Sequence, residues 1–198
     1  MYGDFMRTLL SSFTNKIIIK NSQFICILVP INDEQIEKYL NDIRLQYPKA
    51  NHYCYAYIFN NVKHSSDDGE PSGTAGMPIL NVLEKEGLNN VLCVVVRYFG
   101  GIKLGAGGLV RAYTKSVTEN LKKATFVELI QGYKILLQFN YDSEKEILYI
   151  LNNSFIESRE YLEKISYTCY VSDEVFYKLD RFEPIILEKL YIKKWKNV

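Results

Sequence analysis

The chain has 198 residues, enough for one large domain or two small ones, and 47% of them are apolar, as in an ordinary folded domain. Its 24 lysines and arginines nearly balance 23 aspartates and glutamates, so the net charge of +1 does not mark the whole chain as a polyanion binder. No apolar run approaches the roughly 18 residues that span a bilayer, and the first 15 residues lack the basic start and apolar core of a secretory signal, so a cytoplasmic location is expected.

Residues 1–15 are expected to be poorly structured. Lys16–Lys20 and Gln23–Val29 read as two strands joined by the turn-forming Asn21-Ser22. Asp33 is placed to cap a helix reaching Gln46, with Ile36, Leu40 and Ile43 on its apolar side and Pro48 beyond its end. His52–Phe59 alternates as a strand: His52, Cys54, Ala56 and Ile58 face one way, Tyr53, Tyr55, Tyr57 and Phe59 the other. The tyrosine face is a candidate base-stacking platform as well as a candidate core face. Residues 60–73 are rich in turn formers and are expected to lack regular structure. They bring Asp67, Asp68 and Glu70 together within four positions. A helix is expected over Thr74–Glu86, capped by Ser72 or Thr74 and ended by Gly87.

Val91–Val96 is an unbroken β-branched-rich run, the pattern of a strand buried on both faces. Arg97 ends it. Five glycines follow within nine positions, Gly100, Gly101, Gly105, Gly107 and Gly108, and a helix is expected from there to Lys123. Glycine is costly to order, so this density marks backbone that needs unusual φ or close approach. On the helix, Leu109, Ala112, Tyr113, Val117 and Leu121 form the apolar side, while Arg111, Lys115, Thr118 and Lys122 form a second, mostly basic stripe. Residues 97–123 hold Arg97, Lys103, Arg111, Lys115, Lys122 and Lys123 against Glu119 alone. A strand, a glycine loop, a helix start and free cations are the parts of an anion site.

A domain boundary is expected near Gln131-Gly132, giving domains 1–130 and 131–198. The second reads β-α-β-β-α-β: Tyr133–Tyr141, a helix to about Asn152, Phe155–Leu162, Ile165–Val171, a helix over Asp173–Phe182, and Ile185–Ile192. This order is the split βαβ of the ferredoxin-like fold. The basic tail Lys193–Lys196, with Trp195, is either frayed or a minor RNA contact.

Known nucleotide motifs fail here. Gly101–Gly105 encloses a lysine, but no Lys-Ser/Thr pair follows the last glycine, as a Walker A loop requires. Gly105 and Gly107 begin G-x-G-x-x-G, but Val110 stands where the third glycine is needed. Cys26, Cys54, Cys93 and Cys169 lie singly in apolar runs and read as reduced, buried thiols. With only His52 and His64 to join them, no zinc site is expected. Ser72 is not in a G-x-S-x-G elbow, so it is not read as a hydrolase nucleophile.

DDGEPSGTAGMPIL (Asp67–Leu80) and VVVRYFGGIKLGAGGLVRAY (Val94–Tyr113), with the A-x-H-x-C-x-A-Y run at Ala50–Tyr57 and S-x-F at Ser22–Phe24, resemble the IMPACT/YigZ family. The resemblance implies an α+β protein: an N-terminal two-layer α/β sandwich like domain 2 of a small-subunit ribosomal protein, then a ferredoxin-like domain like one in elongation factor G. Eukaryotic relatives act in translational control, partly through an additional N-terminal domain not seen in these residues. The resemblance transfers no catalytic residue.

The expected function is therefore non-enzymatic: binding of RNA or of a ribosome-associated protein, with a role in translational regulation. Arg97, Lys103, Arg111, Lys115 and the five glycines would hold phosphate, and Tyr53, Tyr55 and Tyr57 would stack on bases. No cofactor and no metal are expected in this reading. Two alternatives stand beside it. One is an enzyme acting on a phosphorylated small molecule, with Asp67, Asp68 and Glu70 holding Mg²⁺. The other is a protein-interaction adaptor in which the glycine loop is structural.

Overall fold

The computed structural model describes residues 6–31 and 35–194. They fall into two compact units, Met1–Val127 and Glu128–Val198. In the first, strands β1 (Arg7–Leu9), β2 (Phe13–Ile19) and β3 (Ser22–Pro30) precede helix α1 (Ile36–Gln46). Strands β4 (His52–Phe59) and β5 (Val62–Ser66), helix α2 (Gly76–Lys85), strand β6 (Val91–Tyr98) and helix α3 (Ala106–Leu121) follow.

The sheet has the order β2-β3-β6-β4-β5, with every neighbouring pair antiparallel. Strand β6 lies at its centre, and Val91–Val96 are all fully buried, as a strand covered on both faces requires. The alternation of side chains splits the core in two. Val91, Cys93 and Val95 pack with Phe24, Cys26, Leu28, Cys54, Ala56 and Ile58 against α2 and α3, through Ile79, Leu83, Leu109, Tyr113 and Val117. Leu92, Val94 and Val96 pack on the other face with Ile25 and Ile27 against Ile36, Leu40 and Ile43 of α1. Each such side chain contributes about 1.5–3 kcal/mol by leaving water. The two-layer sandwich is thus formed by the sheet with α2 and α3, and α1 adds a layer on the far face.

Several elements differ from the sequence expectation. Residues 60–73 are not irregular throughout: Asn60 and Asn61, at φ 45° and 68°, turn β4 back into β5. Asparagine tolerates the left-handed region, so Asn-Asn serves here as the two-residue hairpin turn. The expected loop is therefore confined to residues 67–75. Residues 7–9 and 13–15 are strand, contrary to the unstructured start expected. The expected cap Asp33 lies outside the described residues, and Gln35 at the α1 N-cap makes no side-chain capping bond.

Strand β7 (Phe126–Phe139) begins in the last two residues of the first unit, continues into the second, and runs unbroken through Gln131-Gly132. A β-carbon at Gly132 would sit 2.5 Å from the Val171 carbonyl oxygen. This glycine therefore marks close strand packing rather than a linker. Helix α4 (Glu144–Ile150), strands β8 (Phe155–Tyr161) and β9 (Ile165–Ser172), helix α5 (Asp173–Lys178) and strand β10 (Ile185–Lys193) complete the second unit. The strands run β10-β7-β9-β8, all antiparallel. In chain order that is 4-1-3-2, the ferredoxin-like arrangement. Ile135, Leu137, Tyr167, Cys169 and Val171 meet Ile147, Leu151 and Leu179 in its core. Lys194 pairs with Glu128 at 2.9 Å, while Trp195 and Lys196 of the basic tail lie outside the described residues.

Candidate functional site

The acidic loop is built around β4. Asp67 sends its carboxylate to the start of α2, where Oδ2 accepts from Gly73 N (2.8 Å) and Oδ1 accepts from Ala75 N (3.0 Å) and Gly76 N (2.8 Å). The cap of α2 is therefore Asp67, reaching forward from outside the helix, and not Ser72 or Thr74; the Thr74 hydroxyl is turned to Pro71 O at 2.6 Å. Partial burial raises the Asp67 carboxyl, but the three backbone donors outweigh it and hold the group below the ordinary aspartate value. Asp68 accepts from Tyr53 N at 2.6 Å and gives its carbonyl to His52 Nδ1 at 2.9 Å. A carbonyl only accepts, so His52 carries a proton on Nδ1.

Glu70 turns into the core. It is buried, and its Oε1 receives Arg97 Nη1 at 2.5 Å and the Tyr113 hydroxyl at 2.8 Å, with His52 Nε2 at 3.9 Å. Arg97, at the end of β6, is 4% exposed. It also reaches Ser22 Oγ at 3.4 Å and lies 5.3 Å from the Phe24 ring and 5.5 Å from that of Phe99. Its Nε is a buried donor without a partner among the described residues. Cys54 completes the network, its sulfur 2.9 Å from Asp67 O and 3.2 Å from the Tyr113 hydroxyl. Burial, against the bond from Tyr113 and with help from Glu70, pushes the Cys54 thiol up to about 12. The Tyr113 phenol is likewise pushed far up by burial and then by Cys54 and Glu70. Both stay neutral at physiological pH, so the thiol is not a nucleophile here. The cluster joins the acidic loop, β4, β6 and α3 as an internal clasp.

The three carboxylates thus serve three different purposes and do not converge. Among the described residues no group of three or more His, Cys, Asp or Glu side chains is placed to hold a metal ion. The Mg²⁺ arrangement considered from the sequence is therefore not formed by Asp67, Asp68 and Glu70.

The glycine loop divides by role. A β-carbon on Gly100 would stand 2.1 Å from the Asn21 carbonyl carbon, so its backbone lies directly on the β2–β3 turn, and its N–H donates to Ser22 Oγ at 3.1 Å. Gly101 and Gly105 are exposed, and Gly105 takes φ 71° as it turns into α3. Gly107 and Gly108 occupy the first turn. No side chain caps α3 and no acidic residue lies in its first turn, in contrast to α2 with its Asp67. Lys103, Arg111 and Lys115 are exposed, and among the described residues none of the three has an ion-pair partner within 4.0 Å. Lys122 is paired with Glu119 at 2.7 Å.

Tyr53, Tyr55 and Tyr57 lie on the opposite face of the sheet, among the residues packed with α1. The Tyr53 hydroxyl donates to Tyr47 O at 2.6 Å and its ring lies 5.9 Å from the Arg44 guanidinium. His64 of β5 sits 5.7 Å from the Tyr55 ring and 5.4 Å from the Tyr57 ring, nearly parallel to the latter. Sequence reasoning grouped Arg97 with the surface cations and missed its burial beside Glu70. A lone arginine following six apolar strand residues was the available signal.

These features define a two-domain α+β protein whose first domain locks an acidic loop onto the strand preceding a glycine loop. The Impact N-terminal domain family matches residues 20–121, and the chain belongs to the IMPACT family. It is 40% identical over 166 residues to IMPACT family member YvyE of Bacillus subtilis, a match covering 82% of this chain and 75% of that protein. It is 42% identical over 113 residues to IMPACT family member YigZ of Escherichia coli, covering 54% and 55%. A solved structure described only as a hypothetical protein superposes with a TM-score of 0.67 at 29% identity, covering 96% of this chain and 98% of that one. Among the described residues no helix is long and apolar enough to cross a membrane.

Proposed function

We propose that this protein binds RNA through the glycine loop and the exposed side of α3, and that it acts in translation. The observation that carries the reading is the uncapped start of α3, beside which Lys103 and Arg111 stand exposed and, among the described residues, without an ion-pair partner, as does Lys115 farther along the helix. The backbone N–H groups of a first helical turn and its dipole favour an anion, and glycines in that turn let a phosphate approach closely. The acidic-loop carboxylates do not compete, because Asp67, Asp68 and Glu70 are each bonded elsewhere, and Glu119, which also feels Lys115, is bonded to Lys122. Arg97 supports the loop from inside and is not a phosphate contact. The role in translation rests on the family resemblance. No reaction is assigned: in the buried cluster of Glu70, Arg97, Tyr113 and Cys54 the thiol and the phenol are held neutral.

Fluorescence anisotropy with a labelled RNA stem-loop tests this. Binding should weaken with salt with a slope near −2 to −3 on logarithmic axes, the value for about three phosphate contacts. Lys103→Ala/Arg111→Ala should reduce that slope by about 2 and weaken all RNAs alike. Salt-independent binding, or affinity unchanged in the double variant, refutes the interface. Co-purification of a protein that survives nuclease and high salt would favour an adaptor instead.

A further inference from the structure

The phosphate reading leaves unassigned a groove between α2 and α3, on the side of the sheet away from the tyrosines. It encloses about 390 Å³, within the range of roughly 300–1,000 Å³ that accommodates small ligands. Two apolar side chains stand exposed on its two walls, Met77 from α2 (46%) and Val110 from α3 (37%), with Pro78 and Val82 beneath them. Asn81, Thr114 and Thr118 add an amide and two hydroxyls. The Thr118 hydroxyl is turned to Lys115 O at 3.1 Å, whereas among the described residues the Asn81 amide and the Thr114 hydroxyl have no hydrogen-bond partner. Apolar walls with a few free polar groups are the composition of a site for a flat heteroaromatic ring.

The charge beside the groove selects the occupant. Val110 and Thr114 alternate along α3 with Arg111 and Lys115, which are exposed and unpaired, so cations flank the groove along one wall. Lys85 lines it from α2, where the other charged lining residue, Glu86, is neutralised by Arg7 at 2.7 Å. A ligand with an apolar, hydrogen-bonding ring and a negatively charged backbone matches both features.

We infer that the α2–α3 groove receives an unpaired base of a single-stranded RNA whose phosphates lie along Arg111 and Lys115. Met77 and Val110 sandwich the ring, and Asn81 and Thr114 meet its edge. A duplex cannot present a base in this way, because its bases are stacked and paired. The inference rests on the RNA-binding reading above and narrows it to single strands.

The test uses the full chain and three probes in one buffer at low salt: a labelled single-stranded oligoribonucleotide, a duplex of the same length, and a free nucleoside monophosphate as competitor. The single strand should bind at least about fivefold tighter than the duplex, the ratio that one seated base worth about 1 kcal/mol gives. Asn81→Ala/Thr114→Val should lower single-strand affinity by about fivefold or more beyond its effect on duplex binding. Asn81 is exposed and Thr114 is half-buried, so an unchanged thermal midpoint shows that the variant remains folded. Equal affinity for single strand and duplex, or an equal effect of the variant on both, overturns the inference while leaving phosphate binding intact. Displacement of the oligonucleotide by an equimolar mononucleotide overturns the assignment to a strand. Absence of any RNA binding overturns both readings.

Discussion

Replacing Glu70 with Gln is the most direct way to probe the clasp. The substitution keeps the side-chain shape, removes the charge and turns one of the two acceptor oxygens into an amide donor. Arg97, 4% exposed and 2.5 Å from Glu70, then remains buried without a counter-ion. The pair itself need not be strongly stabilising, because burying both ions offsets much of their attraction. Removing one partner is different, since the surviving charge keeps its desolvation penalty, and the loss is typically about 3–5 kcal/mol. Nearby groups relieve it little: Ser22 Oγ is 3.4 Å away, Arg97 Nε already lacks a partner, and Phe24 and Phe99 offer only their ring faces. For a chain of this length the loss corresponds to a fall of roughly 6–20 °C in thermal midpoint. Far-UV circular dichroism of wild type, Glu70→Gln, Arg97→Met and Glu70→Leu/Arg97→Met provides the assay. The apolar double variant should regain at least half of the loss seen in Glu70→Gln, because it leaves no uncompensated ion. A Glu70→Gln protein within about 1 kcal/mol of wild type would refute the claim that Arg97 is held by this carboxylate.

Asp67→Asn should cost about 1–2 kcal/mol, because the amide keeps one acceptor oxygen, loses the other and loses the charge that strengthens all three bonds. Because the folded Asp67 carboxyl lies below its unfolded value, its contribution is complete above the ordinary aspartate range and vanishes as pH falls through the folded value; wild-type and variant melting points should converge in acid. The Cys54 thiol is raised to about 12, so its contribution is present below the unfolded value near 8.5 and is lost as pH rises from there toward about 12. All four cysteines are buried, so a thiol reagent should label none of them rapidly in the native protein and all four in denaturant. Gly100→Ala should destabilise by about 1–3 kcal/mol through overlap with the Asn21–Ser22 backbone. Gly105→Ala meets no atom within 4 Å, but φ 71° with ψ 164° is a conformation that essentially only glycine adopts, so it should cost about 1–3 kcal/mol of backbone strain, read by denaturant titration.

The sequence by itself determined the local elements and much of the fold. The unbroken run Val91–Val96 had to be the strand covered on both faces, and the alternation of His52–Phe59 separated the small side chains facing α2 and α3 from the tyrosines facing α1. The β-α-β-β-α-β order of the second unit, and the DDGEPSGTAG and glycine-loop strings that mark the IMPACT family, were legible because periodicity and unusual composition are local properties. Turn chemistry was harder to read: Asn60-Asn61 looked like loop because its strand-pairing role depends on β5 finding β4. Which charges are free was decided only by the tertiary structure. Asp67, Asp68 and Glu70 are neighbours in the chain, yet one caps α2, one binds the backbone of β4, and one is buried against Arg97. Arg97 and Lys103 stand six positions apart, but one is enclosed while the other is exposed to solvent. A charge count along the chain treats all of these as equivalent. Desolvation and pairing do not, because they depend on which atoms the fold brings within hydrogen-bonding reach: Arg97 is enclosed, while Lys103, Arg111 and Lys115 stay exposed.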